Sequence, residues 1–270
     1  MRIRDFFKIL ARSKSLGFAI QTARQVPSTS LASLRWRGHN VSYRPGTSDQ
    51  LAIYQVLLRK ERKAEYYVPR ALRPAVILDI GSNIGASILF FHELFPSAKI
   101  LGFEPHPETF RILQSNVSAI PSVSVFNYAL GSADARISVP FEGLDFSAFT
   151  TKIGSRIPPN ASATTDCEIK HASAALRDLG ISTVDLIKID CEGAEYEILR
   201  TLSEEMLKRC KWIVGEIHDA SGFDLLALLA PHFDLDLKKR MFVPFSRFHA
   251  CNLAHLTELQ GTFDRNALQR

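Results

Sequence analysis

From residue 74 onward the chain alternates short apolar runs with amphipathic ones, and no other feature limits its fold so tightly. AVILDI leads into GASILFFHELF, AKILGFEP into PETFRILQSNVSAI, VDLIKID into AEYEILRTLSEEMLKRC, and KWIVGEIH into FDLLALLAPHF; VSVFNYALG stands as a further strand. Continuous apolar strands separated by helix-length segments predict a parallel sheet covered on both faces. Paired strands near LDLKKRMF and FHACNLAHL are expected to close the chain. In such sheets ligands bind beyond the carboxyl ends of the strands, near the point where the strand order reverses. One less regular stretch, from SADARISVP to CEIKHAS, interrupts the alternation and reads as a functional insertion.

The first strand and the loop after it, VILDIGSNIGASILFF at residues 76–91, carry the first chemical signal. Asp79 ends the strand, Gly81 allows a tight turn, and Gly85 opens the next helix. A dinucleotide loop reads GxGxxG, whereas this one reads GSNIG, with Asn83 where the middle glycine belongs. Backbone approach to a diphosphate needs that glycine. A ligand joining an amino acid to a nucleoside without phosphate, such as S-adenosylmethionine, does not. Asp79 is placed to attract the ammonium group of that ligand. Glu104, 23 positions past Gly81, ends the second strand before Pro105, close to the offset of roughly 20 residues at which nucleotide-binding folds set an acid on ribose hydroxyls.

VDLIKIDCEGAEYEIL, residues 184–199, adds a strand ending in Lys188 and Asp190 and a helix start carrying Glu192 and Glu195. The helix dipole is a sufficient reason for those two glutamates, but Asp190 should enter the same crevice as Asp79 and Glu104. The next strand end delivers Glu216 and His218. A histidine at the mouth of a parallel sheet, among acids, is a candidate general base near neutral pH.

RPGTSD, VILDIGSNIGAS, FEPHPETFRILQSNV, NYALG, LIKIDCEGAEYEIL and GEIH follow one another in this order, and over residues 41–218 the chain resembles the FkbM family of S-adenosylmethionine-dependent methyltransferases. The resemblance implies a Rossmann-like class I fold with a mostly parallel seven-stranded sheet and helices on both faces. It implies that Asp79, Gly81, Ser82, Asn83 and Gly85 line the methionine end of the cofactor. Glu104, beside Pro105, would hold the ribose; Asn127 to Ala129 would lie near the adenine; Asp190 and Glu192 would face the methyl group or the substrate. Ser82 and Cys191 stand where many members carry alanine and valine, and residues 142–165 match poorly. The expected reaction is O-methylation of a hydroxyl on a sugar, glycan or related natural product, with His218 as first candidate for the base, Asp190 as second, and Glu192 beside them. A metal-free site is expected, with a variant in which Asp190, Glu192, Glu195 and Glu216 gather Mg²⁺. The alternatives are a nicotinamide-dependent oxidoreductase on the same sheet and a non-catalytic module that docks to a membrane or partner.

Charge sharpens the domain reading. Of the net +5, residues 1–37 carry eight Lys/Arg against Asp5, or +7, which leaves the rest at −2 and argues against a nucleic-acid partner. The organisation expected is a basic amphipathic segment at 1–40, a strand-and-helix extension at 41–73, and the Rossmann-like domain at 74–270. Ile3, Phe6, Phe7 and Leu10 predict one helix face in the basic segment, which reads as a helix laid on the main domain, as a membrane-surface helix, or as a transit peptide. Four scattered cysteines with no CxxC pair argue against a zinc site or a disulfide scaffold. A cytoplasmic chain, peripheral to a membrane through residues 1–37, is the resulting expectation.

Overall fold

The computed structural model describes residues 3–59, 65–140, 164–218, 221–239 and 246–260. The chain opens with helices α1 (Ile3–Ser13) and α2 (Leu16–Arg24), a hairpin of β1 (Ala32–Trp36) and β2 (His39–Tyr43), and helix α3 (Ser48–Ala52), which widens into a π-helical turn over Ile53–Leu58. Then come β3 (Val76–Ile80), α4 (Ala86–Leu94), β4 (Lys99–Phe103), α5 (Pro107–Val117) and β5 (Val123–Phe126). Three strands, β6 (Ala129–Gly131), β7 (Ala135–Pro140) and β8 (Thr164–His171), form a separate small sheet in the order β6-β8-β7. The main sheet resumes with α6 (Ala172–Asp178), β9 (Leu186–Ile189), α7 (Glu195–Leu199), α8 (Glu204–Arg209) and β10 (Trp212–Ile217). It ends with α9 (Gly222–Leu229), β11 (Phe233–Lys239), β12 (Ser246–Asn252) and α10 (Leu256–Gln260).

The main sheet has seven strands in the order β11-β12-β10-β9-β3-β4-β5, parallel except where β12 runs antiparallel to both neighbours. The chain builds outward from β3 through β4 to β5, then returns to lay β9 on the other side of β3. The reversal therefore falls between β3 and β9, which sets the crevice. Along β3 the side chains alternate: Ile77 joins one core cluster with Ile100, Leu186 and Trp212, while Leu78 and Ile80 join another with Leu101, Ile187 and Ile213. Both faces are thus buried, as the unbroken apolar runs require.

Four local readings of the sequence differ from the structure. VSVFNYALG is two strands in two sheets, because the chain leaves the main sheet at Asn127, whose amide Nδ2 donates to the carbonyls of Glu104 (2.9 Å) and Pro105 (3.0 Å). The stretch taken as irregular contains β7 and β8; in β8 the buried Cys167 and Ile169 alternate with outward polar residues, a period too sparse in apolar residues to stand out. Residues 141–163 of that stretch lie outside the described residues. AEYEILRTLSEEMLKRC is two short helices, since Ser203 caps α8 by accepting from the Met206 amide. Finally, β1 pairs with β2 through a turn at Arg37 and Gly38, both at positive φ, so the division expected at residue 40 falls inside a hairpin.

α1 and α2 pack on the sheet through the same core as Ile77 and Ile100, contributing Ile9, Phe18 and Ala19. The inward face of α1 is Phe6, Ile9, Leu10 and Ser13; Phe7, expected inside, is 60% exposed. No helix among the described residues is long and apolar enough to cross a membrane. The cysteines are free, three of them buried and Cys191 half-buried.

Candidate active site

Two cavities open at the carboxyl ends of β3, β4, β9 and β10. Glu104, His106, Ala129, Leu130 and Cys167 line one; Gln55, Glu65, Tyr66, Glu216 and His218 line the other. Gly81, Asn83, Asp190 and Glu192 belong to both walls. These four are the seam between the chambers.

At Gly81 and Asp190 the seam is backbone against backbone. Gly81 sits at φ +79°, and a Cβ there would stand 1.9 Å from the Asp190 carbonyl oxygen, so only glycine fits. Asn83 also takes a left-handed conformation, φ 49°. Gly85, at φ +89°, faces away from both chambers: a Cβ there would meet Leu113 of α5 at 2.8 Å, so its role is helix packing. Ser82 lines the second chamber and ties the turn by donating to the Asp79 carbonyl at 2.9 Å.

Asp79 lies beneath this loop rather than in it. It faces Lys188 across the β3–β9 register, and the two fully buried side chains pair at 3.2 Å, with Ser87 donating to the other carboxylate oxygen. Lys188 Nζ also donates to the carbonyls of Ile80 and Gly81. Burial alone would push the Lys188 ammonium down, but Asp79 and Asp190 carry its pKa above the ordinary lysine value. The aspartate anticipated beside the cofactor ammonium thus holds the loop from below, and Lys188 is a positioning residue whose signal in the sequence was a lone lysine in an apolar strand.

In the first chamber, Glu104 accepts from the Asn83 amide (2.9 Å) and the His106 amide (3.0 Å). Burial raises its pKa to about 7 against those two bonds. Each oxygen keeps a lone pair, which suits the vicinal diol of a ribose. Pro105 and Ala129 line the same chamber, whereas Asn127 is engaged by the backbone carbonyls named above. His106, Thr109 and Cys167 are lining residues the sequence reading missed; Cys167 arrives on the unanticipated β8.

In the second chamber His218 Nδ1 lies 2.9 Å from Glu195 Oε1, while its Nε2 faces Glu216 at 3.5 Å, Asp190 at 3.6 Å and Glu192 at 3.7 Å. Burial alone would lower the imidazole pKa; Glu195, Glu216 and Asp190 push it up to about 11. At neutral pH the ring keeps its proton, which does not suit the role of free base expected of it. Burial carries Glu192 and Glu216 to about 7, and His218 holds Glu195 below the usual carboxylate range despite burial. Tyr66, which no sequence signal marked, donates to Asp190 Oδ2 at 2.8 Å. Arg247 from β12 donates to Glu216 and Glu65.

The sequence profile of the methyltransferase FkbM domain matches residues 79–241, more than half of the chain. The chain belongs to the FkbM methyltransferase family. Membership makes the chain an S-adenosylmethionine-dependent methyltransferase on a class I fold. Three relatives illustrate the range of the FkbM family. The methyltransferase sdnD of Sordaria araneosa is 28% identical over 174 residues, 54% of this chain and 67% of that protein. The 31-O-demethyl-FK506 methyltransferase FkbM of Streptomyces tacrolimicus is 25% identical over 60% of this chain and 73% of its own. The hexuronic acid methyltransferase AglP of Haloferax volcanii is 31% identical over 53% of this chain and 56% of its own. The donor set fits the cofactor: a turn at Gly81 where only glycine fits, over which the methionine part can lie against backbone, and a buried carboxylate at the second strand tip for the ribose.

Proposed function

We propose that this FkbM-family chain methylates a hydroxyl of a sugar, glycan or related natural product. The observation that carries the reading is the pair of chambers sharing one backbone seam, with a diol-binding carboxylate on one side and a wall of hydrogen-bonding groups on the other. In this reading Glu104 and the Ala129 wall hold the nucleoside, and Gly81, Ser82 and Asn83 hold the methionine end. When bound, the cofactor supplies a sulfonium-activated methyl group. The chain's own work is positioning: the acceptor enters the second chamber, where Gln55, Glu65 and Glu216 offer hydrogen-bond partners to its hydroxyls. Asp190 and Glu192 receive the reacting hydroxyl and its proton, with the protonated His218 holding the two carboxylates in place. Alignment of nucleophile and methyl at such a seam supplies several kcal/mol, on the order of the 7–11 kcal/mol ceiling for oriented reactants. The relatives that act on 31-O-demethyl-FK506 and on a hexuronic acid support this acceptor class.

Incubation of the full chain with methyl-labelled S-adenosylmethionine and a panel of glycans, lipids and hydroxylated metabolites tests the reading. Label is expected on an alkyl hydroxyl. Cofactor binding by calorimetry with no label on any hydroxylated acceptor would sink it in favour of a non-catalytic module.

We also infer a peripheral contact with an anionic membrane surface. Arg4, Phe7, Lys8 and Ala11 are exposed at helical spacing on the outer face of α1, away from the core, and opposite charge on the lipid complements the two cations.

A further inference from the structure

We propose that Asp190, Glu192 and His218 form a binding site for one divalent cation of the manganese class, with Glu216 beside them. The three residues each bring one ligand atom to a common space, all within 4.8 Å of one another. Ligand atoms each about 2.2 Å from one ion stand roughly 3.1 to 4.4 Å apart in octahedral geometry, and His218 Nε2 lies 3.6, 3.7 and 3.5 Å from single oxygens of Asp190, Glu192 and Glu216. Such separations hold ion pairs when the ring is protonated, and they also fit atoms that share one central ion.

The atoms pointing away from that space are held. His218 Nδ1 lies 2.9 Å from Glu195 Oε1, which also accepts from the amides of Cys191 (3.2 Å) and Gly193 (3.1 Å). Because a carboxylate accepts, Nδ1 carries the hydrogen, and Nε2 is the nitrogen turned to the cluster, where a bound cation would displace the proton that it otherwise holds and release it to solvent. Tyr66 donates to Asp190 Oδ2, leaving Oδ1 inward, and Arg247 donates to Glu216 Oε1, leaving Oε2 inward. Outer partners of this kind, a carboxylate behind the histidine above all, are how proteins fix metal ligands. An ordinary ion-pair cluster does not require three of its four inward atoms to be selected by a partner behind them. Glu192 takes a left-handed backbone, φ 56°, unusual for a glutamate and followed by Gly193 at φ 104°; strain of this sort marks a residue held for a purpose.

Oxygen donors favour hard cations and the single imidazole shifts preference toward Mn²⁺ over Mg²⁺ or Ca²⁺. Glu192 and His218 line the second chamber, so open coordination positions would face it. Only the further step, that a diol of the acceptor occupies those positions, rests on the methyl-transfer reading. The inference sets aside the metal-free expectation and exchanges Glu195, as an outer residue, for His218 in the ligand set expected from sequence.

The test uses the full chain, stripped with chelator and titrated with MnCl₂ alone, free Mn²⁺ being read by electron paramagnetic resonance. One saturable site per chain is expected, with ¹⁴N coupling in the bound-ion signal. Glu192→Gln and His218→Ala should each weaken binding tenfold or more, His218→Ala should abolish the ¹⁴N coupling, and Glu195→Gln should weaken binding by about 10–100-fold. Glu204→Gln, on the far helix α8, should change nothing. Thermal unfolding of each variant without metal separates loss of the site from loss of the fold; should His218→Ala not fold, Glu192→Gln, in a side chain 38% exposed, decides. No saturable binding, or a site of unchanged affinity in Glu192→Gln, would overturn the inference. The readout needs neither cofactor nor acceptor, so it stands or fails separately from methyl transfer.

Discussion

In the proposed reading, Glu104 is one buried side chain that couples folding to ligand binding. Its pKa rises from 4.5 to about 7 because burial penalises the carboxylate more than the Asn83 and His106 amides reward it. Between those two values the folded protein holds a proton that the unfolded chain has released, so this residue's contribution to stability declines as pH rises from 4.5 to 7 and stays low above, by up to about 3 kcal/mol. Ribose hydroxyls are donors, and the ionised carboxylate accepts them best. Affinity for S-adenosylmethionine should therefore tighten between pH 6 and pH 8 while thermal stability moves the other way. Calorimetry and melting at both pH values check this; Glu104→Gln should flatten the affinity trend and lessen the stability trend, to which Glu192 and Glu216 also contribute, and a wild-type affinity that does not change across the range would remove Glu104 from the ribose.

At the scale of elements, β3 and β9 are joined by more than their ladder. Asp79 and Lys188 face each other in register on the same side of the sheet, inside an apolar cluster, and Lys188 reaches the carbonyls of the loop above. Removing one member of a buried pair strands the other, at a cost of about 3–5 kcal/mol, whereas replacing both by apolar residues of similar volume is far milder. Lys188→Met should lower the melting temperature sharply, and Asp79→Leu combined with Lys188→Met should recover most of it without restoring cofactor affinity, because the loop loses its support. Recovery of both in the double variant would reduce the pair to a packing role. Such pairs show why some of the structure was legible and some was not. The order of strands and the acids at their tips follow from apolar runs and glycine spacing, which are local signals. That Asp79 would turn under the loop, that Tyr66 would reach Asp190, and that Cys167 would line the first chamber depend on register and on residues distant in sequence, for which the chain carries no local mark. The second break, at Ser203, was legible in principle as a serine followed by two glutamates, but the longer helical period around it masked the cap.

For the molecule as a whole, the two N-terminal helices seal one face of the sheet while turning cations outward. Since Ile9 and Phe18 belong to the core, deleting the segment would damage the fold, so charge reversal is the sharper test of membrane contact. The full chain should sediment with phosphatidylserine vesicles at low salt and release at high salt, and Arg4→Glu with Lys8→Glu should abolish this without changing the melting temperature; sedimentation unaffected by the reversal would place the contact elsewhere. The seam at Gly81 and Asp190 has its own consequence. Where Gly81 meets the Asp190 carbonyl no side chain can be added, so in the proposed reading the distance from donor to acceptor is set at that point by the path of the polypeptide. On that proposal, changes around Gln55 and Glu65 would retune which hydroxyl is admitted while the grip on the nucleoside is inherited intact, so a single scaffold of this kind would diversify its acceptors one wall at a time.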